Sequence, residues 1–191
     1  MNALDAIAAR RSIRKFKDKP IPDEALQAVL TAAIQAPSGK NRQPWRFVVV
    51  QGDNRAEMVR VMREGIAKAR AEGEDLGSSQ GSASIMAEAP VTIFIFNPHG
   101  MHPWLTRSIG QMFEDVVNIQ SIGAAIQNML LAAQDQGLGS LWICDVFCAY
   151  EELRNWLGEE GQMIAAVSLG YPDESPAARP RKPVSEVTRW V

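Results

Sequence analysis

"RRSIRKFKDKPIPDEALQAVLTAAIQAPSGKNRQPWRFVVVQ", residues 10–51, passes through three kinds of sequence in about forty positions. It opens with four cations in seven residues, "RRSIRKF" (10–16). Pro22, Asp23 and Glu24 then read as a helix start, and Leu26, Val29, Leu30, Ala33 and Ile34 follow at helical spacing. Pro37 and Gly39 stop that helix. "PSGKNRQP" (37–44) is a loop by composition, and "WRFVVVQ" (45–51) is β-branched and aromatic, the signature of a strand. A helix, a breaker-rich loop and a strand, without regular alternation, set the expectation of an α+β fold with a central sheet and flanking helices rather than a βαβ succession.

The flanking sequence extends that pattern. Upstream, Asn2 can cap a first helix with Asp5 in its first turn and Leu4, Ile7 and Ala8 as a buried stripe. Downstream, Asp53 can cap a helix to about Arg70, with Met58, Met62 and Ile66 in one row. Residues 71–86, rich in Gly and Ser, read as a mobile excursion or a short broken helix, and 97–108, "NPHGMHPWLTRS", as a loop. Between them "VTIFIF" (91–96) is a buried strand. A long helix then runs to Gln136, with Ile122, Ile126, Met129 and Ala133 on one face and Leu130 and Leu131 on another. Gly137 is its left-handed cap and Leu138 the capping contact. "LWIC" (141–144) and "MIAAVSLGY" (163–171) read as strands, and "YEELRNWLG" (150–158) as a helix stopped by Gly158. "PDESPAARPRKP" (172–183) is extended and proline-stiffened. Internal repeats are absent, and one domain over 1–191 is expected.

Composition excludes several classes of function. Apolar residues make up 46% and charged residues 22%, a globular balance. The formal net charge of −2 provides no field for nucleic acid. No apolar run approaches the roughly 20 residues of a membrane span, nothing resembles a signal peptide, and Cys144 and Cys148 match no disulfide framework. The expectation is a reduced, cytoplasmic, soluble protein. Dinucleotide and P-loop fingerprints fail: "GLG" (137–139) follows a helix and precedes a strand, and the position five before Gly39 is Ile34. The set His99, His102, Cys144 and Cys148 has spacing compatible with zinc, but buried free cysteine is the commoner reading, and no metal is expected. The acidic pairs Glu114/Asp115 and Glu151/Glu152 lie in helical segments, where adjacent side chains diverge and acid–base catalysis finds no geometry. Anion binding remains. Arg10, Arg11 and Arg14 at the end of the first helix, and Arg179 and Arg181 alternating on the late extended segment, carry the planar fork that suits a phosphate.

Residues 9–50, with "IGAAIQNMLLAAQDQGLGSLWI" (122–143) and "SLGYPDESPAARPRKPVSEV" (168–187), closely resemble the nitroreductase family of FMN-dependent NAD(P)H oxidoreductases. The combination of R-R-S-x-R with A-P-S-G-x-N-x-Q-P-W is specific. The resemblance implies an α/β/α sandwich around a mixed, mostly antiparallel sheet. It also implies an intertwined homodimer with FMN in the interface, Ile122 to Ala133 packing partly against the second subunit. By the same resemblance, Arg10 and Ser12 hold the ribityl chain and phosphate with Arg11 beside them. Arg14 lies near the pyrimidine edge as an electrostatic stabiliser, and Arg179 and Arg181 bind the phosphate. Pro37, Ser38, Gly39 and Asn41 approach from the partner, with Gln43 and Trp45 in the same motif and Trp45 in core packing. The backbone amides of Cys144 and Asp145 face flavin N5 and O4, where the family often has Gly. The implied activity is ping-pong hydride transfer from NADH or NADPH through flavin N5 to a nitroaromatic, quinone or similar planar acceptor, with no catalytic side chain. Other flavin chemistry on the same fold (dehalogenation, enoate reduction, flavin fragmentation) and a non-catalytic flavin sensor or store are the alternatives. His99, His102, Trp104 and Arg107, with 71–84, are expected to shape the opening over the flavin.

Overall fold

The computed structural model describes residues 1–191. Its sheet is built from β1 (Arg46–Gln51), β2 (Val91–Asn97), β3 (Gly139–Ile143) and β4 (Gln162–Gly170), in spatial order β1-β2-β4-β3. Every strand pair is antiparallel. The only parallel pairing is an isolated bridge between Ser12 and Ser140. β2 is buried at every position because both faces are covered, and the period of two divides its side chains between two cores. Val91, Ile93 and Ile95 meet α2 (Asp23–Ile34) and α5 (Ile109–Asp135) through Val29, Ala33, Ile122, Ile126 and Met129. Phe94 and Phe96 meet α3 (Asn54–Ala71), α4 (Ser79–Glu88) and α6 (Tyr150–Leu157) through Met58, Met62, Ile66, Met86 and Leu153. The result is the α/β/α sandwich that the resemblance implied.

Caps end the helices as the sequence indicates. The Asn2 side chain accepts from the Asp5 amide at the head of α1 (Ala3–Ala9). At the end of α5, Gly137 has φ +70°, and the amides of Gly137 and Leu138 return to the carbonyls of Gln134 and Ala133. Gly158, at φ +67°, ends α6 in the same way, its amide and that of Glu159 bonding to Asn155 and Arg154. Asp53 precedes α3 without a side-chain cap.

The structure differs from the sequence reading at five places. In α1, a two-turn helix beside α5, only Ala6 is buried, and Leu4, Ile7 and Ala8 lie exposed. Ile34, on the last turn of α2, is exposed as well. Residues 79–88 form an ordered helix, since Ser79, Ser82, Ala83 and Met86 bury one face of a Gly/Ser-rich segment. β3 begins at Gly139 and stops before Cys144. Finally, Ile122, Ile126, Met129 and Ala133 are wholly buried within their own chain. The uncovered apolar surface of α5 is its first half: Ile109 (89% exposed), Met112, Phe113 (68%), Val116 and Ile119. By length and composition α5 could cross a membrane, yet its buried face packs against α2 and the sheet.

The sheet edge also gathers the chain ends. Residues 12–17 run beside the end of β3 and the strand exit of β4: the Ile13 amide donates to the Ser140 carbonyl (3.0 Å), Lys17 to Tyr171 (2.9 Å), and Asp173 back to Lys15 (2.9 Å). Gly139 permits this approach, because a Cβ there would lie 2.8 Å from Ile13.

Candidate flavin site

α1 ends at Ala9, so Arg10 caps the helix and Arg11, Ser12 and Arg14 lie on the strand-like segment beside β3. Arg11 Nη1 caps the carbonyls of Ala8 (2.7 Å) and Arg10 (2.8 Å). The segment after β4 runs antiparallel to this one and delivers Arg179 and Arg181 to the same place. Arg10, Arg11, Ser12, Arg14, Arg179 and Arg181 line one cleft of about 370 Å³. None of these five guanidiniums has a carboxylate within 4 Å. Glu174, the nearby acid, accepts instead from the Arg14 backbone amide. Burial, and then the like charges of Arg181 and Arg11, lower the pKa of Arg10. Five cations held together without counter-ions make a surface that repels itself until an anion arrives.

Arg14 also lines a second cleft, of about 450 Å³, with Ser78, Ser82, Trp142, Cys144 and Asp145. The two clefts therefore meet at Arg14. Cys144 follows β3 and Asp145 opens a 3₁₀ turn (Asp145–Ala149), the position where helical amides are free to point outward. The Asp145 carboxylate accepts from Ser78 Oγ (2.8 Å) and Ser82 Oγ (2.6 Å), which ties the turn to α4. Partial burial, then Asp145, raises the pKa of Cys144, so the thiol is held protonated. The sequence reading included Ser78 and Ser82 only within the range 71–84 and did not identify Trp142. The alternation in "LWI" places Trp142 opposite buried Leu141 and Ile143, a signal that was present; the seryl contacts had no such signal.

Pro37, Ser38, Gly39 and Asn41 do not join either cleft of their own chain. Their loop is seated on α5. The Gly39 amide donates to Ser121 Oγ (3.3 Å), a Cβ at Gly39 would lie 2.4 Å from Val117, and Arg42 pairs with Glu114 (3.1 Å). Ser38 Oγ accepts from the Gln43 amide (3.0 Å). Lys40, Asn41 and Gln43 all have positive φ, near +50°, an unusual cost for residues with a Cβ. Trp45 packs against the core, as expected.

The loop 97–108 takes a different place. Arg107 faces inward, pairing with Asp115 and binding carbonyls of its own loop. Trp104 borders a separate cleft beside Phe147 and Cys148, the His102 ring lies near Trp104 and Tyr150, and His99 is exposed. None of these four lines the clefts that meet at Arg14.

The sequence model of the nitroreductase family matches residues 7–171. A protein of Archaeoglobus fulgidus named for NADH dehydrogenase and NAD(P)H nitroreductase activity is 34% identical over 176 residues, covering 90% of this chain and 86% of its own. The NADPH-flavin oxidoreductase of Vibrio harveyi is 27% identical, covering 97% of this chain and 72% of its own. A crystal structure from Desulfovibrio desulfuricans, described as a nitroreductase in complex with FMN, superposes with TM-score 0.75 at 31% identity and covers 98% of this chain and 96% of that one. With the sandwich, the arginine cleft and a match over most of its length in place, this chain belongs to the nitroreductase family.

Proposed function

We propose that the protein is an FMN-dependent NAD(P)H oxidoreductase working as a homodimer. The observation that carries this reading is the cleft of five unpaired arginines, joined through Arg14 to the cleft beneath Cys144 and Asp145. A phosphate bearing two negative charges fits the first cleft, because Arg forks donate paired, charge-assisted hydrogen bonds and no carboxylate competes for them. Arg10, Ser12, Arg179 and Arg181 hold the phosphate and ribityl end, with Arg11 beside them. Arg14, at the junction, opposes negative charge that develops on the pyrimidine edge. The amides of Cys144 and Asp145 donate toward N5 and O4 in a turn fixed by the Ser78 and Ser82 hydroxyls. Bound FMN supplies hydride acceptance and release at N5; the protein's part is to hold, orient and shield. The reductant is NADH or NADPH and the acceptor a nitroaromatic, quinone or similar planar electrophile, taken in turn by a ping-pong sequence at one open face. Two free cysteines suit a reduced compartment such as the cytoplasm.

The dimer reading rests on the bare apolar row Ile109, Met112, Phe113, Val116 and Ile119, a helical stripe of the kind obligate interfaces bury. The strained 37–43 loop is anchored on α5 beside that row, so a partner docked there would carry Pro37, Ser38, Gly39 and Asn41 toward the other subunit's flavin. Anaerobic addition of NADH or NADPH to the FMN-loaded protein should bleach the flavin, and a nitro compound or quinone should restore its colour. Failure of both nicotinamides to bleach it would favour a flavin store. Bleaching without turnover of either acceptor would shift the reading to other flavin chemistry.

A further inference from the structure

Trp104 is 65% exposed, yet the loop that carries it is fixed from within. Arg107 has five N–H donors, and each atom that bears them is engaged: Nε with the Asp115 carboxylate, Nη1 with the carbonyls of Pro103 (3.1 Å) and Leu105 (2.8 Å), Nη2 with those of Met101 (2.9 Å) and His102 (3.0 Å). Both members of the Arg107–Asp115 pair are largely buried. A loop immobilised in this way loses little further entropy when its exposed ring binds something.

The indole stands edge-on to Tyr150, ring centroids 5.2 Å apart at 87°, with the His102 ring 4.9 Å away. Phe147 lies 5.4 Å from Tyr150. Trp104, Tyr150 and Phe147 wall a cleft of about 530 Å³. Its rim is acidic. Glu72, Glu74 and Asp75 border it, and none of the three has a cation within 4 Å. Lys68, the one cation on the lining, is tied to Glu152 (3.1 Å). Its pKa is raised by that hydrogen bond and charge first, and further by Glu72 and Glu151. Aromatic walls under a negative field attract a cation with a flat face and reject an anion of the same shape.

We propose that this cleft is a binding site for a planar aromatic cation, such as an N-alkylated acridinium or quinolinium ring, stacked on Trp104 with Glu72, Glu74 and Asp75 opposing its charge. The site does not depend on the flavin reading: it shares no lining residue with the arginine cleft, whose charge would repel the same ligand.

The test is titration of the full-length protein, saturated with FMN, with N-methylacridinium and separately with anthracene-9-carboxylate, a three-ring anion. One acridinium should bind per chain, at least about tenfold more tightly than the carboxylate, and added salt should weaken it. Trp104→Ala should weaken acridinium roughly fivefold or more, while Trp104→Phe retains most of the binding. Glu72→Gln with Glu74→Gln should lower affinity and flatten the salt dependence, and Arg10→Ala should leave acridinium binding unchanged while loosening FMN. Equal binding of cation and anion, or undiminished binding to Trp104→Ala, overturns the proposal. So does a change of oligomeric state in Trp104→Ala by light scattering, which would assign the indole to a subunit interface.

Discussion

The arginine cleft at the chain ends, which continues through Arg14 to Cys144 and Asp145, and the aromatic cleft at Trp104, bordered by Phe147 and Cys148, carry opposite charge. The first concentrates five cations and leaves them unpaired. The second gathers carboxylates around rings and ties its only lining cation to Glu152. They also differ in how their parts are held. Arg10, Arg11 and Arg14 are placed by a few backbone bonds to β3 and the 171–173 segment, whereas Trp104 is placed by a buried side-chain ion pair. One region is organised around a charge it lacks, the other around a charge pair it already contains. Substitutions should therefore separate ligand affinity from stability in opposite ways.

The largest effect is expected at the clamp. Arg107→Ala leaves Asp115 buried without its partner and frees four carbonyls, so chemical denaturation should show a loss of about 3 kcal/mol or more, with FMN affinity little changed. A comparable loss of flavin would mean that the two clefts are mechanically one. Arg181→Ala should do the reverse. Each charge-assisted phosphate bond is worth about 1.5–3 kcal/mol, so FMN retention on dialysis should fall by roughly tenfold to a hundredfold. The flavin-free protein should become slightly more stable, because a neighbour that repels Arg10 is gone. Unchanged flavin affinity would remove Arg181 from the site. Gly139→Ala tests the junction: its Cβ would press on Ile13, and overpacking of that kind costs about 1–3 kcal/mol. Part of that cost should appear as weaker FMN binding, because the displaced segment carries Ser12 and Arg14, while acridinium binding at Trp104 is unaffected.

The smallest effect concerns pH. Burial and Asp145 raise the Cys144 pKa, so the folded chain holds that proton more tightly than the unfolded chain does. The stability this confers is present below the unfolded thiol's value and is lost as pH rises past it toward the folded value. Cys144→Ser should reduce the decline on the alkaline side. Alkylation of Cys144 in the native protein should lag behind that of a free thiol at the same pH.

Much of the fold was legible from local pattern. The nearly unbroken apolar run "VTIFIF" specified a strand covered on both faces, and Gly137 and Gly158 marked helix ends because a left-handed residue closes the last turn most cheaply when it lacks a Cβ. The arginines stood out by their clustering, which the fold gathers into one cleft, and the family by the order of its motifs. Composition misled at 79–88, where serines bury one face of a helix, and at Leu4 and Ile7, where a helical stripe did not reveal what, if anything, covers it.

Periodicity and capping are short-range and depend on neighbours a few positions away, so the sequence by itself determined which segments became helices and strands and where they stopped. Tertiary structure alone decided that Arg14 and Glu174, 160 positions apart, sit side by side, and that Arg107 turns inward while Trp104 turns out. The first of these follows from the sheet order β1-β2-β4-β3, which places the last strand, β4, between β2 and β3. No local pattern encodes that order, because it is selected by how whole faces pack together.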